Sequence, residues 1–232
     1  MKDRNRLAVI VQARLNSQRI PAKMVRPFAD TTLLDIALSK LELLTEFEPT
    51  QKFASLYDES LIQIAGKYDV TVFQRSKNSA FSEGQVLQEL YEWWDQLPFE
   101  YAVLINPCVP FLAPETISRF INAYLASSSA GMFGVIRKKN YFWDADGQLL
   151  TPWSLEDGAM DTKRVQYTNE AAHCLYAGRL DRIGEGIWMG KLAEPGDIEL
   201  FPLEEEQTLD IDYPWQFELC ETLYSQRQSI SC

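Results

Sequence analysis

Three cationic side chains lie close together near the start of the chain, in a polar segment that follows a short apolar run. Arg14, Arg19 and Lys23 fall within ten residues of one another, with Ser17 between them. Guanidinium and ammonium groups, together with the backbone N–H groups of a loop, form sites for anions and above all for phosphates. The segment has neither a GxxxxGK[ST] nor a GxGxxG motif. On charge alone, a solvated loop is an equally good interpretation.

Two carboxylates lie near the other end of the chain. Asp210 and Asp212 are separated by one residue and are followed by Tyr213-Pro214 and a helical pattern. Alternate side chains of an extended segment point to the same face, so this pair could share one Mg²⁺. Mg²⁺ prefers hard oxygen ligands, substrate phosphates and water. Taken alone, the pattern favours a helix cap, because aspartate commonly precedes a helix that begins with proline.

The other reactive residue types predict less chemistry. His173 is the one histidine and lies in an apolar run, which favours a partly buried, hydrogen-bonded side chain over a catalyst. Cys108 follows a predicted strand, but no histidine lies near it in sequence to act as a base, so packing is its favoured role. The four cysteines show no metal-ligand spacing and are typical of reduced thiols in a cytoplasmic protein. The acidic run 204–206 is interpreted as a solvated turn.

The elements that must position these residues alternate along the chain. Buried strands are predicted by apolar β-branched runs, and helices by apolar residues spaced three and four apart. The predicted strands are 7–13, 52–56, 70–73, 101–105, 131–136, 173–176 and 198–200, and the predicted helices are 31–44, 59–68, 84–96, 114–126 and 215–225. Thr31 or Asp30 is expected to cap the first helix. This alternation predicts an α/β fold with a mostly parallel sheet covered on both faces.

The predicted sheet gathers the polar residues at one edge. The cationic loop follows the first strand directly, and Asn106 follows the strand 101–105. Ligands of open parallel sheets bind at the carboxyl ends of the strands. The pattern changes after residue 127, with a hairpin-turn signal at 145–148. We therefore expect a single domain over residues 1–232 with a β-rich insertion at 137–180.

Composition excludes several classes of protein. The chain has 232 residues, of which 46% are hydrophobic and 24% charged, as is typical of a folded domain. Its 33 acidic and 22 basic residues give a net charge of −11, which argues against binding to nucleic acid but not against a small anionic ligand. No apolar stretch approaches the roughly 18 residues that a membrane span needs. The basic start lacks the apolar length of a signal peptide, so a cytoplasmic protein is expected.

Several segments resemble, in order, the motifs of the sugar cytidylyltransferases, which include the acylneuraminate and CMP-Kdo synthetases and the SpsF-type proteins of polysaccharide synthesis. Residues 13–23 (ARLNSQRIPAK) resemble the opening phosphate loop ARxxSxRxPxK, and residues 209–218 (LDIDYPWQFE) resemble the segment DIDTPEDFE. Weaker matches lie at 55–59, Arg75, 104–115, 146–149 and 167–171. The ordered set extends over residues 8–219, nearly the whole chain.

The resemblance implies a Rossmann-like αβα three-layer nucleotidyltransferase fold. It implies transfer of CMP from CTP to an acidic sugar of the ulosonic or acylneuraminate type, with release of pyrophosphate and with Mg²⁺ as cofactor. Carried over motif by motif, the catalytic residues are Arg14, Lys23 and Asp212, the substrate-binding residues are Ser17, Arg19, Arg75, Asn106 and Asn169, and the metal ligands are Asp210 and Asp212. A homodimer formed through the insertion is also implied. The aromatic residues Phe142, Trp143 and Trp153 would serve there as an interface or, alternatively, as a sugar-stacking wall.

Five positions depart from the family's pattern. Asn16 replaces a glycine, although asparagine tolerates positive φ, and Met24 stands where asparagine is common. Residues 79–82 lack an acidic residue. Cys108 or Val109 stands where some members have an aspartate, and Leu112 stands where some have an arginine. These losses leave open a degenerate homologue that binds a nucleotide or a partner without catalysis. A glycosyltransferase on the same fold is the third possibility, which the early position of the cationic loop disfavours.

Overall fold

A mixed sheet of seven strands forms the centre of the computed structural model, which describes residues 1–82, 86–151 and 161–231. The strands, including those of a separate two-stranded ribbon, are β1 Leu7–Gln12, β2 Pro27–Phe28, β3 Thr31–Thr32, β4 Lys52–Leu56, β5 Thr71–Gln74, β6 Tyr101–Ile105, β7 Gly131–Lys138, β8 Thr168–Arg179 and β9 Ile198–Leu203. The helices are α1 Leu33–Glu42, α2 Glu59–Ala65, α3 Lys77–Phe81, α4 Leu87–Leu90, α5 Pro114–Ala126, α6 Leu180–Gly184 and α7 Pro214–Ser231. No helix in these described ranges is long and apolar enough to cross a membrane.

The order of the strands across the sheet is β5-β4-β1-β6-β8-β7-β9. Strand β8 pairs antiparallel with β6 and β7, whereas all the other pairs are parallel. The prediction of a mostly parallel sheet is therefore confirmed. Six strands point the same way, so the carboxyl ends of β1, β4, β6 and β7 share one edge.

Both faces of β1 are buried, as its continuous apolar run predicted. Leu7, Val9 and Val11 point into a large core with residues of α1, α5 and α7. Ala8 and Ile10 point into a smaller core that includes residues of α6 and the segment 87–94. Helices and helical turns on the two faces make the three-layer α/β arrangement.

Two predicted helices differ from the structure. The cap of α1 is Thr32 rather than Thr31 or Asp30, and its Oγ1 accepts a hydrogen bond from the Asp35 N–H at 3.1 Å. The predicted helix 84–96 is broken into α4 and a 3₁₀ turn at Glu92–Trp94, and its first residues lie outside the described ranges. The break brings Trp93 into the core, where its Nε1 donates to Gln12 Oε1 at 2.8 Å.

The segment 137–180 divides into two parts. Residues 168–179 form β8 inside the main sheet, whereas residues 139–151 and 161–167, which we call the arm, lie outside it. The predicted turn is present, with Gly147 at φ 80° and a bridge between Trp143 and Leu149. Trp143 is exposed, whereas Trp153 lies outside the described residues. A dimer formed through the arm stays a prediction.

Candidate active site

Two adjoining cavities open at the shared carboxyl edge of the sheet, between the ends of β1 and β6. They share a wall made of Gln12, Ala13, Arg14, Asn106 and Pro107. The cavity of about 250 Å³, here the aromatic cavity, is further lined by Arg75, Leu90, Tyr91, Leu104, Ile105, Tyr176 and Trp188. The cavity of about 460 Å³, here the cationic cavity, is further lined by Ser17, Gln18, Arg19, Lys23, Met24, Cys108 and Asp212.

The loop after β1 contains a strained turn that directs its last cation inward. The left-handed residue of this loop is Ala22, with φ 52°, whereas Asn16 does not use the positive φ that asparagine tolerates. The Ala22 carbonyl accepts hydrogen bonds at 3.0 Å from the N–H groups of Val25 and Arg26. Left-handed backbone costs a non-glycine residue about 1 kcal/mol. The turn leaves Lys23 buried at the floor of the cationic cavity.

Lys23 and Arg19 both reach the acidic pair. Arg19 Nη2 donates to Asp212 Oδ1 at 2.8 Å, and Lys23 Nζ lies 3.8 Å from the same oxygen. Lys23 Nζ also donates to the Ile211 carbonyl. The Arg19 guanidinium lies 4.9 Å from the centre of the Tyr213 ring. The structure thus brings two cations of the loop and one carboxylate, 189 or more positions apart in the chain, into one cluster.

The remaining loop residues face the cavities from the other side. Arg14 is exposed, and its Nη1 donates to the Ser82 carbonyl at 3.0 Å. The loop is fixed beside it by a hydrogen bond from the Leu15 N–H to Asp58 Oδ2 at 3.2 Å. Ser17 lines the cationic cavity, and its N–H donates to the Leu15 carbonyl at 2.7 Å.

Arg75 is held by the protein itself. Its side chain is buried; Nε donates to Ser79 Oγ at 3.0 Å and Nη2 donates to the Ser79 carbonyl at 2.6 Å. Longer contacts reach the carbonyls of Ala13 and Leu90. Burial lowers the pKa of Arg75 to about 10, which still leaves it charged at neutral pH. Arg75 therefore lies in the wall of the aromatic cavity as a clamp between three chain segments.

The acidic pair is built as the alternation predicted, with its middle residue turned into the core. Ile211 is fully buried, and its N–H donates to the Cys108 carbonyl at 3.0 Å. Asp210 Oδ2 accepts from Asn106 Nδ2 at 3.3 Å, while Oδ1 is buried without a partner among the described residues. Burial, and then the negative charge of Asp212, raise the pKa of Asp210 to about 6.

The chain just before α7 is capped by the side chain of Gln216 and not by Asp210 or Asp212. Gln216 Oε1 accepts hydrogen bonds from the N–H groups of Asp212 and Tyr213 at 2.7 and 2.8 Å. The Asp212 carboxylate instead pairs with the loop cations, which favours the binding interpretation over the cap.

Asn106 joins three segments at the edge of the sheet. Its Nδ2 donates to the His173 carbonyl at 2.7 Å as well as to Asp210, and its Oδ1 accepts from the Cys108 N–H at 2.8 Å. His173 adopts φ 50° where the register between β7 and β8 shifts. The expectation of a partly buried His173 is wrong, because the side chain is exposed; its Nδ1 lies 3.2 Å from the hydroxyl of Tyr176.

Asn169 is not brought to either cavity. It lies on β8 opposite Arg137, six positions before Leu175, which pairs with Ile105 at the end of β6. At about 3.3 Å per residue, this places Asn169 roughly 20 Å along the strand from the end of β6. A sugar contact from Asn169 stays a prediction.

Several departures from the family's pattern fall on packing positions. Met24 and Leu112 are buried in the large core. Burial raises the pKa of the Cys108 thiol to about 11, so it is protonated at neutral pH and a poor nucleophile. The run 204–206 is exposed and belongs to a short turn, as predicted.

Sequence reasoning missed most of the aromatic cavity. The rings of Tyr176 and Trp188 lie 4.8 Å apart, and those of Tyr91 and Trp188 are stacked at 6.0 Å. Gln12, the polar residue that ends the apolar run of β1, fixes this wall through hydrogen bonds to Trp93 and to the Leu90 carbonyl. The polar Gln12 at the end of an apolar run could have indicated this cavity from the sequence. The approach of the three aromatic rings could not, because it depends on residues distant in sequence.

The carboxylates of Asp210 and Asp212 suit one divalent cation whose other ligands would be substrate phosphates and water. No cluster of three or more histidine, cysteine, aspartate or glutamate side chains fit to hold a metal exists within the described ranges. Mg²⁺ is commonly bound by one or two carboxylates together with substrate phosphates and water. Asp210 and Asp212 match this pattern, and the partnerless Asp210 Oδ1 is an unused acceptor.

The mostly parallel sheet with helices on both faces is an α/β fold of the nucleotidyltransferase type, and cationic side chains lie at the carboxyl edge of its sheet. The sequence matches the cytidylyltransferase family over residues 8–174, most of its length, and the chain therefore belongs to that family. The resemblance seen in the motifs is thereby confirmed at the level of the family. None of the curated proteins is significantly similar to the chain in sequence.

Solved structures share the fold over nearly the whole chain. One is a CMP:2-keto-3-deoxy-manno-octonic acid synthetase complexed with CTP, with a TM-score of 0.68, 11% identity and coverage of 95% of this chain and 99% of the other. A 4-diphosphocytidyl-2C-methyl-D-erythritol synthase from Anaerococcus prevotii has a TM-score of 0.64, 14% identity and coverages of 94% and 96%. A cytidylyltransferase from Leptospira borgpetersenii has a TM-score of 0.62, 16% identity and coverages of 95% and 87%.

Proposed function

We propose that this protein transfers CMP from CTP to a hydroxyl group of an acidic sugar, of the ulosonic or acylneuraminate type, and releases pyrophosphate. The observation that carries the proposal is the pair of unlike cavities around one wall at the ends of β1 and β6. Stacked aromatic rings suit a nucleobase and ribose, and converging cations suit a triphosphate. Membership of the cytidylyltransferase family supports CTP as the nucleotide.

The loop after β1 would bind the triphosphate in the cationic cavity. Arg14 and Arg19 are exposed and can turn to phosphate oxygens, while Lys23 is fixed at the floor. Ser17 adds a hydroxyl donor. Bonds between cations and phosphate oxygens are the strong, charge-assisted kind, and they neutralise the charge that grows on the departing pyrophosphate.

Binding of the triphosphate would exchange partners within the cluster around Asp212. Arg19 and Lys23 pair with Asp212 in the free protein, and phosphate oxygens can replace that carboxylate. The exchange releases Asp212 beside Asp210, and these two residues would hold Mg²⁺. When bound there, Mg²⁺ supplies Lewis-acid neutralisation of the phosphates.

The reaction itself depends on correct positioning of the two substrates more than on covalent catalysis. The acceptor oxygen forms a bond to the α-phosphorus as the bond from that phosphorus to the bridging oxygen breaks, and the hydroxyl proton leaves to solvent or to a base. Alignment of the attacking and leaving oxygens is the main contribution of the protein to such a transfer. Asn106 would hold the edge in shape through its bonds to the His173 carbonyl and to Asp210.

Cations of the arm line a further cavity, roughly 20 Å or more along β8 from the end of β6. The arm leaves the sheet from the carboxyl end of β7, on the edge that carries the site, and a cavity of about 540 Å³ is lined there by Lys139, Lys163 and Arg164. Asn169 lies next to this region on β8. The structurally similar CMP-Kdo synthetase is likewise named for an acidic sugar, 2-keto-3-deoxy-manno-octonic acid. We further propose a cytoplasmic homodimer formed through the arm, where Trp143 and Leu150 are exposed.

A turnover assay tests the proposal. Purified protein is incubated with Mg²⁺, each of the four ribonucleoside triphosphates in turn, and a panel of ulosonic acids, acylneuraminates and neutral sugars. We expect pyrophosphate release that requires both CTP and an acidic sugar and that stops when the metal is chelated. Tight CTP binding with no release for any acceptor would instead establish the non-catalytic homologue. Transfer from a nucleotide-sugar would establish the glycosyltransferase.

A further inference from the structure

A lysine outside every sequence motif lies buried behind the site. Lys40 is on α1, on the apolar face that also carries Ala37 and Leu41, and its side chain is 7% exposed. Its Nζ donates to the carbonyls of Val109 and Pro110 at 2.8 and 2.9 Å. No carboxylate of the described residues pairs with it. A buried charge without an ionic partner is costly, so this position needs an explanation.

The two carbonyls belong to the segment that builds the floor of the cationic cavity. This segment, residues 106–112, follows β6, and its Pro107 and Cys108 line the cavity directly. The Cys108 carbonyl accepts the N–H of Ile211, between the two aspartates. The segment is therefore bonded on one side to the acidic pair and on the other side to Lys40.

We propose that Lys40 is a positioning residue of the nucleotide site, which holds the segment 106–112 against the acidic pair and places a buried positive charge behind the cationic cavity. The proposal rests on the proposed function, since the bound anion is the triphosphate of CTP. A buried charge is screened by salt far less than a surface charge, so it acts on the phosphates across the segment 106–112, which lies between Lys40 and the cationic cavity.

The surroundings of Lys40 make its charge sensitive to pH. Burial lowers the pKa of Lys40 to about 7. The titratable group that faces it from β8 is the Cys174 thiol, whose pKa burial raises to about 12, so it stays neutral. The two carbonyls from the segment 106–112 favour the charged form of Lys40. The charge is thus present in mildly acidic solution and lost in mildly alkaline solution.

Calorimetric binding of CTP and of inorganic triphosphate, each with Mg²⁺, tests the proposal. The variants are Lys40→Met, which removes charge and donor, and Lys40→Gln, which keeps a donor without the charge. Lys52→Met is the matched control, because Lys52 is equally buried but lies on β4 at the start of the strand, away from the carboxyl edge. Measurements are made at about pH 6 and about pH 9, on either side of the Lys40 pKa.

At about pH 6, both Lys40 variants are expected to bind either ligand about tenfold more weakly than the control and the wild type. At about pH 9 the wild type and Lys40→Gln should converge, because neutral lysine and glutamine both donate without a charge, whereas Lys40→Met should stay weaker because it lacks a donor to the two carbonyls. A purely structural role would give the same ratio at both pH values. The control measured at each pH corrects for titration of the ligand. If Lys40→Met does not fold, Lys40→Gln carries the comparison.

Unchanged affinity of a folded Lys40 variant at about pH 6 would overturn the proposal, as would an equal loss at both pH values. A wild type that binds triphosphate but not CTP would refute the proposed function, while the triphosphate comparison would still decide the role of Lys40. Wild-type protein that binds neither ligand would refute both proposals.

Discussion

The two cavities share one wall, but they hold their cations in different ways. In the aromatic cavity, Arg75 is 3% exposed and its donors are bonded to Ser79 and to backbone carbonyls. In the cationic cavity, Arg14 and Arg19 are exposed and bonded to the Ser82 carbonyl and to the Asp212 carboxylate. Arginine thus fixes the wall of the aromatic cavity, whereas in the proposed function the arginines of the cationic cavity would exchange their present partners for phosphate.

The two arginine environments differ in how much it costs the side chain to exchange its present partner for a ligand. An exposed ion pair adds little stability because solvent screens it, so exchange of Asp212 for a phosphate costs Arg19 little. A buried carbonyl that loses its donor costs about 1–3 kcal/mol, so Arg75 cannot leave its partners for a ligand at similar cost. In the proposed function, burial therefore separates the arginine that shapes the site from the arginines that would bind the nucleotide.

The largest effect is expected from the acidic pair. Asp212→Asn should reduce pyrophosphate release about 100- to 1,000-fold, because it removes a charge that holds the metal beside the phosphates. Circular dichroism should show an intact fold, and Glu206→Gln, in an exposed turn, serves as the control. Turnover equal to that of the control would mean that Asp212 only orders the loop.

Replacement of the buried Arg75 should lower the stability of the fold more than it changes any direct contact with ligand. Arg75→Met is expected to lower the free energy of unfolding by about 2–3 kcal/mol, since the carbonyl and the hydroxyl oxygen of Ser79 each lose a buried donor. Urea denaturation measures the change, with Lys77→Met on the nearby exposed surface as the comparison. Unchanged stability with lost CTP affinity would show that Arg75 binds the ligand rather than shaping the wall.

Replacement of an exposed cation should act on binding alone. Arg14→Ala is expected to raise the Kd for CTP about tenfold, with unfolding unchanged, because it removes one charge-assisted bond. Arg14→Lys should recover part of the affinity, and the difference should shrink as salt is added. A loss that does not respond to salt would place Arg14 among the structural cations.

The smallest effect concerns the strained turn. Ala22→Gly relieves a left-handed backbone, whereas Asn16→Gly only adds freedom to the unfolded chain. Ala22→Gly should therefore be more stable than Asn16→Gly by about 1 kcal/mol. Thermal unfolding of the two variants measures this, and the reverse order would mean that Asn16 carries the strain.

The buried parallel strands were readable from sequence. The predicted bounds 52–56 and 101–105 match β4 and β6, and 114–126 matches α5. These elements are decided by local apolar pattern, which burial in the sheet or against it reinforces. The cationic loop was found for the same reason, because its polar residues interrupt such a run.

Features that depend on distant contacts were missed. The helix expected at 84–96 breaks where Trp93 bonds Gln12, 81 positions away. A lysine such as Lys40 is ordinarily expected to be solvated. Its burial depends on hydrogen bonds to the carbonyls of Val109 and Pro110, about 70 positions away. Strand β8 begins well before the apolar run at 173–176, because its exposed start pairs only with β7.

The fate of the individual phosphates of CTP tests the account most directly. CTP labelled at the α-phosphate or at the γ-phosphate is incubated with the protein, Mg²⁺ and an accepted sugar, and the products are separated. We predict that the α-label moves to the sugar product and the γ-label to pyrophosphate, in equal amounts. An α-label that ends in free CMP or stays in CTP, or a γ-label that ends in orthophosphate, would contradict cytidylyl transfer.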